Sequence, residues 1–112
     1  MPPSFNNRCR DSSVKDKYSW FIEKMNYAQS DGLWYLLQYF GEYMMHEAEL
    51  TQRKAVVVLE HYARNHEKIY IRLAAYQALG LLSDLSGVDD LREDIKSNER
   101  DTYLQQLYQS LM

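Results

Sequence analysis

Residues 69–84 read IYIRLAAYQALGLLSD and contain the most regular apolar pattern of the chain. Its apolar side chains recur at steps of three and four, which predicts an α-helix with one buried face; they are Ile71, Ala75, Ala78, Leu79 and Leu82. The small side chains of Ala74, Ala75 and Ala78 favour close approach of a second helix. Gly80 costs roughly 1 kcal/mol relative to Ala inside a helix, so we expect another backbone to pass nearby. The stretch therefore predicts an inner helix that lies between neighbours.

The same apolar period of about 3.6 residues predicts five further helices around this inner one. They cover residues 15–29, 32–47, 51–64, 88–96 and 99–111. The run Val56-Val57-Val58 also suits a β-strand, but the periodicity of the flanking residues favours a helix.

Polar residues before three of the predicted helices are candidates for N-caps, because Ser, Thr, Asp and Asn side chains accept hydrogen bonds from free backbone N–H groups. The candidates are Ser30 or Asp31, Thr51, and Ser97 or Asn98. Residues 65–67 are predicted to turn the chain into the inner helix, and residues 85–88 are predicted to end it.

Six helices in hairpins over 15–47, 51–84 and 88–111 predict an all-α fold, a short right-handed α-solenoid. A plain helical bundle with short loops is the alternative. Residues 1–13 are polar and lack any apolar period, which predicts a disordered linker or terminus. We expect residues 14–112 to form the helical domain.

Length and composition limit the classes of partner. The chain has 112 residues, 46% hydrophobic and 26% charged, which is typical of one globular domain. Its net charge of −3 offers no large basic surface to nucleic acid or anionic lipid. The longest apolar run, residues 33–45, is shorter than the roughly 20 residues that a membrane span needs. The single cysteine, Cys9, cannot form an internal disulfide.

Metal and catalytic motifs are incomplete in this sequence. The zinc-peptidase motif His-Glu-x-x-His needs a second histidine three residues after the glutamate. That position is Leu50 after His46-Glu47 and Tyr70 after His66-Glu67. We therefore predict no catalytic, cofactor-binding or metal-ligating residues, and no cofactor.

The pattern Ile71-Arg72-x-x-Ala75-x-x-Ala78-Leu79-Gly80-x-Leu82 resembles the second helix of a HEAT repeat. This resemblance implies stacked helical hairpins. HEAT repeats usually place an Asp, often with a Pro, in the turn before this helix, whereas residues 65–67 are Asn-His-Glu. The departure leaves the partner of Arg72 open.

A second resemblance covers residues 15–111, which are similar to the HEAT-like C-terminal region of zinc aminopeptidases of the aminopeptidase N type. It is carried by the helical pair 51–84, the short helix 88–96 and the ending Glu99-x-Asp101-x-x-Leu104-x-x-x-Tyr108. The resemblance implies a region that packs over a catalytic domain located upstream in a fuller metallopeptidase.

Tyr35, Tyr39 and Tyr43 recur every four residues and point sideways or outward from their helix. Packing against the adjacent hairpin is the favoured interpretation, and an aromatic surface for another protein is the alternative.

These observations predict a non-catalytic helical accessory or interaction domain, the C-terminal domain of a larger zinc aminopeptidase-like protein. Its partner is a protein or adjacent domain, and Tyr35, Glu42, Leu73 and Gln77 are predicted to line an interaction surface. The alternative function is a stand-alone HEAT-like scaffold that binds a peptide or protein. Because terminal repeats expose apolar faces, the isolated domain should self-associate or show an apolar patch on its first hairpin.

Overall fold

The computed structural model describes residues 16–110, which form six α-helices and no strand. The helices are α1 (Lys17–Tyr27), α2 (Ser30–Met44), α3 (Glu49–Asn65), α4 (Ile69–Gly80), α5 (Val88–Ser97) and α6 (Thr102–Ser110). The prediction of an all-α chain is confirmed for this part, and the valines at 56–58 lie within α3. The predicted linker 1–13 and Cys9 lie outside the described residues.

Helix α4 is the inner helix that the sequence predicts. It packs against α2, α3, α5 and α6, and Ala75 and Ala78 on its surface are buried. The other contacts join α1 to α2, α5 to α6, and α3 to both α2 and α5. Burial of a central helix by neighbours on several sides explains why its sequence is apolar almost all round.

The close approach of two backbones occurs at Gly41 of α2, and the prediction for Gly80 is wrong. A Cβ atom at position 41 would lie 2.9 Å from the Cβ and 3.1 Å from the Cα of Ala78. Gly80 instead faces the guanidinium group of Arg92, whose Cζ would lie 3.1 Å from an added Cβ. The small side chain of Ala78 therefore allows α4 to pack closely against Gly41 of α2. Gly80 leaves room for the side chain of Arg92.

None of the predicted N-caps has that role. Helices α2 and α3 begin before the predicted positions, with Gln29 and Ala48 as N-caps that make no side-chain capping bond. Ser30 and Thr51 therefore lie inside the helices. Asn98 ends α5 rather than starting α6, because its backbone N–H and its side-chain amide both donate to the carbonyl of Asp94.

Two aspartates cap helices instead. The carboxylate of Asp16 accepts a hydrogen bond of 2.7 Å from the backbone N–H of Ser19 at the start of α1. This bond lowers the pKa of Asp16. Asp101 accepts a bond of 3.0 Å from the backbone N–H of Leu104 and so begins α6.

Helix α4 ends at Gly80, four residues earlier than the predicted end at Asp84. The following turn keeps Leu82 and Leu85 in the core. It closes at Gly87, whose φ of +90° is a conformation that glycine adopts without a steric penalty. This turn places the start of α5 against α4.

Candidate functional site

A concave groove lined by aromatic residues lies between α1 and α2. It has a volume of about 510 Å³ and is lined by Lys17, Trp20, Phe21, Leu36, Tyr39 and Tyr43. The α1 residues are spaced by three and four positions, as are Leu36, Tyr39 and Tyr43 on α2, so each set occupies one helical face. The groove follows from the antiparallel packing of these two faces.

Three aromatic rings in the groove are about half exposed. The exposed fractions are 44% for Trp20, 52% for Tyr39 and 48% for Tyr43. Within residues 16–110, no neighbouring hairpin covers the rings of Tyr39 and Tyr43, so the packing that the sequence favours is not seen in this part of the chain. Large exposed aromatic surface on a folded domain commonly marks a binding site.

The buried ring of Phe21 contacts two of these exposed rings, those of Trp20 and Tyr43. Phe21 is buried at the floor of the groove. Its ring centroid lies 5.0 Å from that of Trp20 and 5.6 Å from that of Tyr43. It also lies 5.5 Å from the ring of Phe40 in the core. Because the rings of Trp20 and Tyr43 both contact the buried ring of Phe21, these two side chains have little entropy left to lose when a partner binds.

The two edges of the groove differ in charge. On the α1 edge, the Lys17 ammonium lies 5.7 Å from the Tyr43 ring centroid, and that of Lys24 lies 5.7 Å from the Trp20 centroid. Lys17 is also 3.7 Å from the carboxylate of Glu47. On the α2 edge, Glu42 borders the exposed sides of Tyr39 and Tyr43.

The predicted surface of Tyr35, Glu42, Leu73 and Gln77 spans two helices. Tyr35 and Glu42 are exposed on α2, and Gln77 is exposed on α4. Leu73 is half-buried and packs against the core. The groove contains none of these four residues, although Glu42 lies beside it. Lys17 and Phe21 were not predicted as site residues, although their helical spacing relative to Trp20 was a usable signal.

A buried ion pair joins α4 to the start of α6. Arg72 donates to the carboxylate of Glu99 through Nε at 3.1 Å and Nη2 at 2.8 Å. Its Nη1 donates to the carbonyls of His66 and Glu67 at 2.7 and 3.3 Å. The side chains of Arg72 and Glu99 are only 3% and 2% exposed. The partner of Arg72, left open by the sequence, is thus a glutamate 27 positions away.

Two stacked tyrosines lie beside this pair. The ring centroids of Tyr76 and Tyr108 are 3.9 Å apart with an interplanar angle of 22°. The guanidinium carbon of Arg92 lies 4.2 Å from the Tyr76 centroid. Burial and the nearby Glu99 carboxylate raise the pKa of Tyr108. Both tyrosine hydroxyls are buried without a hydrogen-bond partner among residues 16–110. The stacked rings join α6 to α4. Because both tyrosines are buried, the cluster offers no open site.

The histidine-glutamate pairs stand outside helices. His46 lies in the turn after α2, and His66 is the C-cap of α3, where burial lowers its pKa. Over residues 16–110, no three histidine, cysteine or acidic side chains are placed to share a metal ion. No helix of the described chain has the length and apolar content to cross a bilayer.

Comparison with known protein families, curated proteins and solved structures finds no match to this chain. The geometry of the α1–α2 groove is therefore the basis on which a function is assigned.

Proposed function

We propose that this chain is a non-catalytic helical interaction domain that docks onto another protein surface through the groove between α1 and α2. The observation that carries the proposal is the set of half-exposed rings of Trp20, Tyr39 and Tyr43, two of which, Trp20 and Tyr43, contact the buried ring of Phe21. Tryptophan and tyrosine are the residues that most often dominate the binding energy of protein interfaces.

The exposed rings supply enough apolar area to drive a specific contact. Fully burying a large apolar side chain contributes about 1.5–3 kcal/mol. Because each ring is about half exposed, covering it would contribute roughly 1 kcal/mol, or about 3 kcal/mol for the three together. That gross contribution must be joined by polar contacts at the rim to overcome the cost of association.

The proposed architecture is a short α-solenoid with α2, α4 and α6 in one layer and α1, α3 and α5 in the other. The pairing of α1 with α2, α3 with α4, and α5 with α6 supports it, as do the α2–α4, α4–α6 and α3–α5 contacts. Tyr39 is two positions from Gly41, about 200° around the helix. The groove then lies on the side of α2 that faces away from α4, where no other helix of residues 16–110 covers it.

Two versions of this function differ in which protein surface binds in the α1–α2 groove. In the first, the chain is the C-terminal domain of a zinc aminopeptidase-like protein, and the groove packs against the preceding part of that protein. In the second, it is a stand-alone HEAT-like scaffold that binds a separate peptide or protein. The rigid aromatic groove suits both versions equally.

Site-specific photo-crosslinking in the cells of origin tests the proposal. A benzophenone side chain placed at position 39 should trap a defined protein, identified by mass spectrometry. The same group at position 103, where Tyr103 is exposed on α6, serves as the control. The product at position 39 should disappear in a Trp20→Ala background, because that change removes one wall of the groove.

Equal crosslinking at positions 39 and 103, or a product that persists in the Trp20→Ala chain, would contradict a specific role for the groove. The melting temperature of Trp20→Ala should be measured in parallel. A fall of only a few degrees is expected, because the Trp20 side chain is 44% exposed and surface changes are small in energy.

A further inference from the structure

We propose that the occupant of the α1–α2 groove is a second copy of the same chain, related to the first by a two-fold axis parallel to α1 and α2. This inference rests on the proposed function, because it names the partner of that same groove. The α1 edge of the groove carries lysines and the α2 edge carries Glu42, so a second copy can offer the opposite charge to each edge.

The two helices of the hairpin run in opposite directions, which fixes where each charge lies. Lys17 at the start of α1 is beside Tyr43 and Glu47 at the end of α2. Glu42 precedes Tyr43, so it lies at the same level as Lys17 on the opposite edge of the groove. Lys24 lies about two helical turns after Lys17 on α1, toward the other end of the groove and beside Trp20.

Two copies can meet face to face across this groove in two symmetric ways. An axis across the helices places α1 on α1 in opposite directions, so that Lys17 of one copy faces Lys24 of the other and like charges repel. A two-fold axis parallel to the helices places α1 of one copy on α2 of the other. Equivalent residues of the two copies then lie at the same height along the helix axes. Lys17 of each copy then faces Glu42 of the other, and the contact occurs twice.

The charged groups needed for this arrangement are available. The Lys17 side chain is 57% exposed and its pair with Glu47 is long at 3.7 Å. Glu42 is exposed and forms no ion pair with any residue between 16 and 110. The half-exposed rings of Trp20 and Tyr39 would be covered between the two pairs of charges, where water is excluded. A single copy thus carries both halves of a self-complementary interface.

Charge reversal tests this arrangement in the full 112-residue chain. Lys17→Glu and Glu42→Lys each convert both ion pairs into like-charge pairs, and each should weaken self-association roughly 10- to 100-fold. An equimolar mixture of the two variants should form a heterodimer, because every facing pair is again of opposite charge. The double variant Lys17→Glu/Glu42→Lys should associate as the original chain does. Asp84→Lys, a change of charge equal to that of Glu42→Lys on an exposed turn residue that does not line the groove, is the matched control and should leave association unchanged.

Sedimentation velocity over a concentration series provides the measurement, with twice the chain mass of 13.4 kDa expected for the original chain. A monomer at every concentration overturns the second copy as occupant; crosslinking of position 39 to another protein would then leave the proposed function standing. A dimer that both single variants retain, or that their mixture fails to restore, overturns the proposed axis. Melting temperatures of all variants separate a lost interface from a lost fold.

Discussion

The buried pair between Arg72 and Glu99 allows a sharp test of what holds the C-terminal helices to α4. The change is Glu99→Gln, which preserves the size of the side chain but removes its charge. The matched control is Asp94→Asn, which removes the carboxylate that accepts a bond of 2.6 Å from Arg64. Both pairs join an arginine to an acidic residue about thirty positions later. They differ in burial, and Arg64 retains a second carboxylate partner, Glu60, at 2.8 Å.

The expected effect follows from that difference. The Arg72 and Glu99 side chains are 3% and 2% exposed, against 30% and 57% for Arg64 and Asp94. Removing one partner of a buried pair leaves the other charge without compensation and costs about 3–5 kcal/mol. Glutamine keeps one oxygen for the guanidinium, so we expect about 3 kcal/mol for Glu99→Gln. An exposed pair contributes about 0.5 kcal/mol, which is the loss expected for Asp94→Asn.

Thermal unfolding followed by circular dichroism measures both variants. At about 4 °C per kcal/mol for a domain of this size, Glu99→Gln should lower the melting temperature by roughly 12 °C and Asp94→Asn by roughly 2 °C. The larger loss should change little with added salt, since buried charges are weakly screened. Equal losses for the two variants would show that burial of the Arg72–Glu99 pair contributes nothing to the cost of removing the carboxylate.

Four further results are expected. Gly41→Ala should lower the free energy of unfolding by about 1–2 kcal/mol, because the new methyl would lie 2.9 Å from the Cβ of Ala78; Gly32→Ala in the same helix meets only an ordinary contact of 3.7 Å and should raise it by up to about 0.5 kcal/mol. Asp101→Ala removes the cap of α6 and should cost about 1 kcal/mol in urea denaturation. Tyr108→Phe deletes a buried hydroxyl that has no partner among residues 16–110 and should raise stability by about 1 kcal/mol. Because burial raises the pKa of Tyr108 in the folded chain, ionisation of this group should leave the free energy of unfolding unchanged below about pH 10 and lower it as the pH rises further. Urea denaturation across that range should show a shallower decline for Tyr108→Phe.

The apolar period predicts the six helices and the inner position of α4, because burial of one face depends mainly on local spacing. Helix ends are less predictable, since several polar residues near each end compete for the same role. Asn98 has the right side chain to start a helix, but it bonds backward to Asp94 and closes α5. Asp101 then takes the N-cap, because its carboxylate reaches the N–H of Leu104.

The candidate site is less predictable than the helices because it depends on which faces meet. The exposure of Tyr39 and Tyr43 is suggested by their spacing within one helix. The wall formed by Trp20 and Lys17 requires knowing that α1 packs beside this face of α2. The pairing of Arg72 with Glu99 joins positions 27 apart, and no local pattern specifies it.

Helix α2 shows how the fold and the proposed function are separated on one element. Its inward side is fixed by Gly41, where no side chain fits against Ala78 of α4. Its outward side carries Tyr39, whose ring is half exposed and has no role in that contact. Because these two sides are nearly opposite, substitutions at position 39 are expected to change association while leaving the α2–α4 packing intact. The outward aromatic residues are therefore more readily explained by a partner than by the stability of the isolated chain.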